Sequence, residues 1–144
     1  IITEYKTTWI TLPGYLKYLI LFISFALSVK FLLQLGSTVP AISKLAFGFR
    51  PIIIAYLHLI LLAIISLFLL FYIYVNNFIA VNKKTILGLI LFCIGVVLNE
   101  IVLGIQGVAS FSYTLIPFIN EALFGIAILL FASILWTTFF TKKG

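Results

Sequence analysis

Four stretches of this chain stay apolar for about 20 residues or more, separated by short polar breaks. The first runs from about Tyr15 to Gln34, opened by Pro13-Gly14 and closed by Gly36. The second starts at Arg50-Pro51, where proline suits a first helical turn, and continues to about Val75. The third runs from Lys84 or Thr85 to about Gly107, and the fourth from Pro117 to about Phe140. Each is long enough to cross a bilayer core as a helix. The apolar runs are continuous rather than alternating, which disfavours a β-barrel.

Short connections at 76–83 and 108–116 make consecutive spans antiparallel neighbours. The expected fold is therefore all-α, an integral membrane four-helix up-down bundle over 15–141, with spans at 15–34, 51–75, 85–107 and 117–140. An interfacial tail (1–14) precedes it and a basic tail (142–144) follows. The longest link contains Pro40-Ala-Ile-Ser-Lys-Leu-Ala-Phe47, which fits a short amphipathic helix lying at the interface.

Composition supports this. The chain is 65% hydrophobic and only 8% charged, more apolar surface than 144 residues in water can hide. Its net charge of +6 does not imply nucleic acid, because the basic residues flank the spans and suit anionic lipid. Lys6, Lys17, Lys83, Lys84, Lys142 and Lys143 lie on the side of both termini; Lys44 and Arg50, with Lys30 nearby, lie on the other. The positive-inside rule then puts both termini in the cytoplasm. Trp9, Trp136, Tyr15, Tyr18, Tyr72 and Tyr74 fall near that same edge, as interfacial aromatic belts do. Methionine is absent even at position 1, so a piece of a longer protein is expected. Cys93 is the only cysteine, which leaves no disulfide framework.

Within so apolar a chain, the polar exceptions hold what chemistry there is. The phrase Leu98-Asn99-Glu100-Ile101-Val102-Leu103-Gly104-Ile105 is echoed by Ile119-Asn120-Glu121-Ala122-Leu123-Phe124-Gly125-Ile126. A carboxylate at bilayer depth costs several kcal/mol unless paired, protonated or wetted. At 1.5 Å per residue, Lys30, His58, Glu100 and Glu121 all lie about 6–10 Å inside the non-cytoplasmic ends of their spans. They are expected to share one buried polar layer with Asn99 and Asn120, the two Asn-Glu pairs facing each other. Gln34, Arg50, Tyr56 and Gln106 are available to extend it. Cys93, Glu100, Gly104 and Gly107 share one helical stripe, and Glu121, Gly125 and Ala132 another, so small residues would let the acid-bearing helices approach.

Plainer readings stand beside these. Lys30 can snorkel to the headgroups without a partner. A lone histidine such as His58 is more often a hydrogen-bonded packing residue than a ligand. The two glutamates fit a structural clamp through Lys30, Arg50 or the asparagine amides, or else proton or ion handling. No catalytic triad order, phosphate loop or metal-ligand spacing is present, so no self-contained active site and no cofactor is expected. With one His and one Cys, haem is conceivable only if a partner chain or missing helices supply the remaining ligands.

The stretch from Lys44 to Leu59, Lys-Leu-Ala-Phe-Gly-Phe-Arg-Pro-Ile-Ile-Ile-Ala-Tyr-Leu-His-Leu, followed by the two Asn-Glu phrases, resembles the C-terminal end of a longer family of multi-pass proteins from Bacteroidetes-type bacteria. That family is distantly similar to subunit I of haem–copper oxidases. The resemblance implies a bacterial inner membrane and a missing N-terminal part. Haem–copper subunits hold their metals with several histidines, whereas this chain has only His58, so no metal site carries over.

Three functions compete. One is a structural or accessory module of a larger inner-membrane assembly, touching lipid and other membrane helices. Another is a transport module in which Glu100 and Glu121 take a proton or cation. The third is a redox-associated subunit giving one haem ligand through His58.

Overall fold

The computed structural model describes residues 12–141, with every side chain there except those of 45–47. Glu4, Lys6, Trp9, Lys142 and Lys143, on which part of the charge and aromatic reading rests, lie outside the described residues. The described residues are helical throughout apart from short links, with no strand among them.

Four helices are long and apolar enough to cross a membrane, and the chain is a membrane protein. They are α1 (Gly14–Gly36), α3 (Arg50–Val75), α4 (Lys83–Phe111) and α5 (Ile119–Thr141), with the short α2 (Pro40–Gly48) between the first two. The sequence placed all five. Three boundaries differ for local reasons. α4 starts at Lys83 because Asn82 caps it: its side chain accepts from the amides of Lys84 and Thr85, while Thr85 Oγ1 accepts from the Asn82 amide. The same helix runs on to Phe111, about one turn of serine-containing linker having joined it. Ser110 Oγ stays in the helix by donating to the Gln106 carbonyl at 2.8 Å. α5 begins at Ile119 rather than Pro117 because Phe118 takes a φ of 61°, the left-handed region that a bulky side chain rarely enters.

The helices stand in chain order. α4 and α5 share the most extensive interface, α3 packs on α4 and on α1, and no extended contact joins α1 to α4 or α5. The four-helix bundle is thus an open row rather than a closed ring. Between α4 and α5, Gly88 and Gly95 provide the close approach: a Cβ on Gly88 would strike Thr137 Oγ1, and one on Gly95 would lie 2.7 Å from Leu130 Cδ2. Lipid tails give no hydrophobic drive for helices to associate, so such backbone proximity supplies the packing contacts instead. At the end carrying the termini, Asn82 Nδ2 donates to the Phe140 carbonyl and Trp136 Nε1 to the Lys84 carbonyl, each at 3.2 Å.

α3 divides its attention. Its first half, Arg50–His58, packs on α4, and its last half, Leu67–Val75, packs on α1. Between them Leu59–Ser66 is π-helical, and Ser66 Oγ donates to the Leu61 carbonyl five residues back at 2.8 Å. Near the termini, α1 and α3 close tightly: Tyr15 meets Tyr74 edge to face at 6.1 Å, and Leu19, Ile23, Ala63 and Leu67 are buried around them. Tyr74 is itself buried and donates to the Thr85 carbonyl at 2.8 Å, tying α3 to the start of α4. Toward the opposite end, here called distal, α1 and α3 part.

Candidate functional site

Inter-helix contacts set the levels. Gly88 faces Thr137 and Gly95 faces Leu130, so antiparallel counting puts Glu100 level with about Gly125, and Glu121 level with about Gly104. Gly107 lies against Ile52, which puts Glu100 level with about Leu59. Tyr15 lies against Tyr74, which brings Lys30 to that level too. Lys30, His58, Glu100 and Glu121 therefore stand within about 6 Å of one another along the membrane normal. Of the other three, His58 comes within electrostatic reach of Glu100, while Lys30 bonds to Gln34.

Glu100 is half-buried in the wall of a groove, and its Oε1 is buried with no hydrogen-bond partner. Beside it Asn99 is 6% exposed, and its Nδ2 likewise lacks a partner. The Asn99 amide lies within reach of the Glu100 carboxyl without meeting it in hydrogen-bond geometry. An unmet buried polar group costs about 1–3 kcal/mol, a cost that falls if the neighbouring Asn99 amide and Glu100 carboxyl close on each other.

Lys30 does not supply it. Its Nζ donates to Gln34 Oε1 at 2.8 Å and lies 4.7 Å over the Phe31 ring, on α1 itself. His58 is part-buried and within electrostatic reach of Glu100. Its Nδ1 lies 2.9 Å from the Ile54 carbonyl, which can only accept, so Nδ1 carries the proton and a neutral ring leaves Nε2 open. Asn120 and Glu121 are exposed, on a face of α5 that no described helix covers, so the expected facing pair of Asn-Glu phrases does not form among the described residues. Gly125 and Ala132 share that exposure, and a Cβ on Gly125 would meet nothing within 4 Å. The clamp expected from Glu121, Gly125 and Ala132 is thus replaced by Gly88 and Gly95 against Leu130, Ser133 and Thr137. Arg50 is exposed at the distal start of α3, Gln106 is half-buried on α4, and Tyr56 lines the groove.

The groove lies between α1 and the distal halves of α3 and α4, with a volume of about 990 Å³. Its walls are aliphatic and aromatic, and Glu100, Tyr56, Gln34 and Ser37 are the polar residues in them. Asn99, Asn120 and Gln106, expected to line any cavity at this level, are not among them.

No family model, curated protein or solved structure matches the chain. Its own geometry is what speaks for function. Among the described residues no three His, Cys, Asp or Glu side chains converge as metal ligands.

Proposed function

We propose that the chain is an integral membrane accessory module of a larger assembly in a bacterial inner membrane, with both termini cytoplasmic. The observation carrying this is the exposure of Asn120 and Glu121 on the uncovered face of α5. Glu121 is level with about Gly104, some 10 Å below the distal end of α4. A carboxyl facing lipid in the first turn of a span carries a desolvation cost, smaller than at the bilayer centre, which a covering helix with a hydrogen-bond donor or cation removes. The open row suits that role, since among the described residues α1 and α5 each keep one flank free. The lysine bias and the resemblance to longer bacterial multi-pass proteins support the membrane and orientation.

A photo-crosslinking residue at Phe124, which is 68% exposed on this part of α5, tests it in native membranes. Adducts to another membrane protein, weakened by Glu121→Leu, are expected. Adducts to lipid alone would mean that the chain works by itself.

A second reading, proton or cation handling, is favoured by Glu100, whose Oε1 is unpartnered with His58 in reach. Proton flux in liposomes, abolished by Glu100→Gln with folding intact, would establish it over the accessory role.

A further inference from the structure

We infer that α5 of one copy of this chain packs against α1 of a second copy, inserted in the same direction, so that Glu121 meets the Lys30 ammonium of its neighbour. This rests on the reading of the uncovered α5 face as a partner contact, and it names the partner.

Depth and charge select the second copy. α1 and α5 end the open row, and one carries a basic residue within its span where the other carries an acid. Among the described residues neither charge has an opposite one beside it: the Lys30 ammonium is bonded to the neutral Gln34 side chain, and Glu121 is exposed. Gln34 lies four residues distal of Lys30, and Gly104 four residues distal of Glu100. Since Lys30 is level with Glu100 and Glu121 with Gly104, the ammonium stands at about the height of Glu121. Two copies inserted alike therefore hold the acid and the base at one level of the membrane. Docking α1 on α1 would set ammonium beside ammonium, and α5 on α5 carboxyl beside carboxyl, which like charges oppose. Docking α5 on α1 brings opposite charges together and offsets the desolvation cost of both. The contact is thus heterologous, each copy using one end of its row. Lys44 stands on α2, outside the spans, and Arg50 opens α3, an inner helix of the row, so Lys30 is the cation that a terminal helix offers at this depth.

The two flanks also match in relief. Ser24 and Ser28 are exposed on α1, each five residues on from a buried Leu19 or Ile23 and so about 140° around the helix from the α3 side. Their hydroxyls donate to the Ile20 and Ser24 carbonyls at 2.8 and 2.9 Å, which leaves a small surface with its polar atoms met. Gly125 and Ala132 are exposed on the flank of α5 that carries Glu121. By the same counting of levels, Ala132 comes opposite about Ser24 and Ile128 opposite about Ser28. Small residues on both sides let two membrane helices approach closely.

The experiment mixes two differently tagged forms of the full chain in membranes, both in a Cys93→Ala background, one with Ala132→Cys and the other with Ser24→Cys. Oxidation is expected to give a mixed dimer, with at least about fivefold less dimer from either form alone. Glu121→Lys in the Ala132→Cys form should lower the mixed dimer about fivefold, the worth of about one hydrogen bond. Lys30→Glu in the Ser24→Cys form should then restore it, which a merely misfolded variant could not do. The proposal is overturned if either form dimerises alone as well as the mixture does, if no mixed dimer forms, or if its yield ignores both charge reversals. The Phe124 photo-crosslink separates this inference from the reading beneath it. An adduct to a second copy of this chain supports both, an adduct to a different membrane protein in its place overturns this inference alone, and adducts to lipid alone overturn both.

Discussion

Lys30 and Glu100 stand at about the same level on α1 and α4, yet the Lys30 ammonium is bonded to Gln34, one turn further along its own helix. The basic residue nearest the buried acid in depth is therefore committed elsewhere. Glu100 is left with a buried oxygen that has no hydrogen-bond partner, in the wall of a groove rather than inside a salt bridge.

The stability of the isolated chain should reflect this. Breaking a buried ion pair costs about 3–5 kcal/mol, but no such pair is formed here. Lys30→Met should change unfolding in mixed micelles by less than about 0.5 kcal/mol. Glu100→Leu should be neutral or stabilising, because it removes a polar atom that has no partner. A loss of 3 kcal/mol or more in either variant would restore the clamp that the sequence suggested.

The glycines should sort by contact and not by spacing. Gly88→Ala presses on the Ser133 carbonyl at 3.2 Å and displaces Thr137 Oγ1 from its own bond to that carbonyl, at a cost of about 1–3 kcal/mol. Gly95→Ala meets side-chain atoms of Leu129 and Leu130 and no backbone among its nearest neighbours, so it should cost less. Gly104→Ala and Gly125→Ala meet nothing and should stabilise by about 0.4–1 kcal/mol through reduced chain entropy. Unfolding midpoints of the four variants check the order.

Two bonds at the end carrying the termini should be measurable singly. Tyr74→Phe deletes the hydroxyl bond to the Thr85 carbonyl and should cost about 1 kcal/mol. Asn82→Ala removes the cap of α4 together with its link to Phe140, and should cost about 1–2 kcal/mol. Asn82→Ser should recover the cap but not the link.

Orientation is open to direct labelling. In a Cys93→Ala background, single cysteines at Ser43 and Ser112 should react from the periplasmic side and one at Asn82 only after the membrane is permeabilised. Reaction at Asn82 in intact cells would reverse the proposed orientation.

The spans were legible because twenty-odd apolar residues between polar links have few alternatives in a bilayer. The common level of Lys30, His58, Glu100 and Glu121 was legible as well, since a constant rise turns sequence position into depth. Facing was not. These helices are apolar on nearly all sides, so no stripe distinguishes the lipid side from the protein side, and Glu121 went to the wrong one. Gly88 and Gly95 carried a usable signal, a seven-residue spacing of glycines that meet Thr137 and Leu130, but Gly104, Gly107 and Gly125 beside the acids offer the same signal without a contact between α4 and α5. The π-helical stretch Leu59–Ser66 is apolar apart from Ser66 and left no mark in the pattern.

That stretch gives α3 a phase offset. An α-helix turns about 100° per residue, so the wider turns of Leu59–Ser66 rotate one half of the span relative to the other. Ile52 can thereby address Gly107 on one neighbour while Tyr74 addresses Tyr15 on the other. The quantity under constraint in residues 59–66 is accordingly their number more than their chemistry. Aliphatic exchanges there leave the rotation intact, whereas inserting or deleting one residue re-indexes half the span. Either α4 or α1 then loses its place in the row, and the groove beside Glu100 changes width with it.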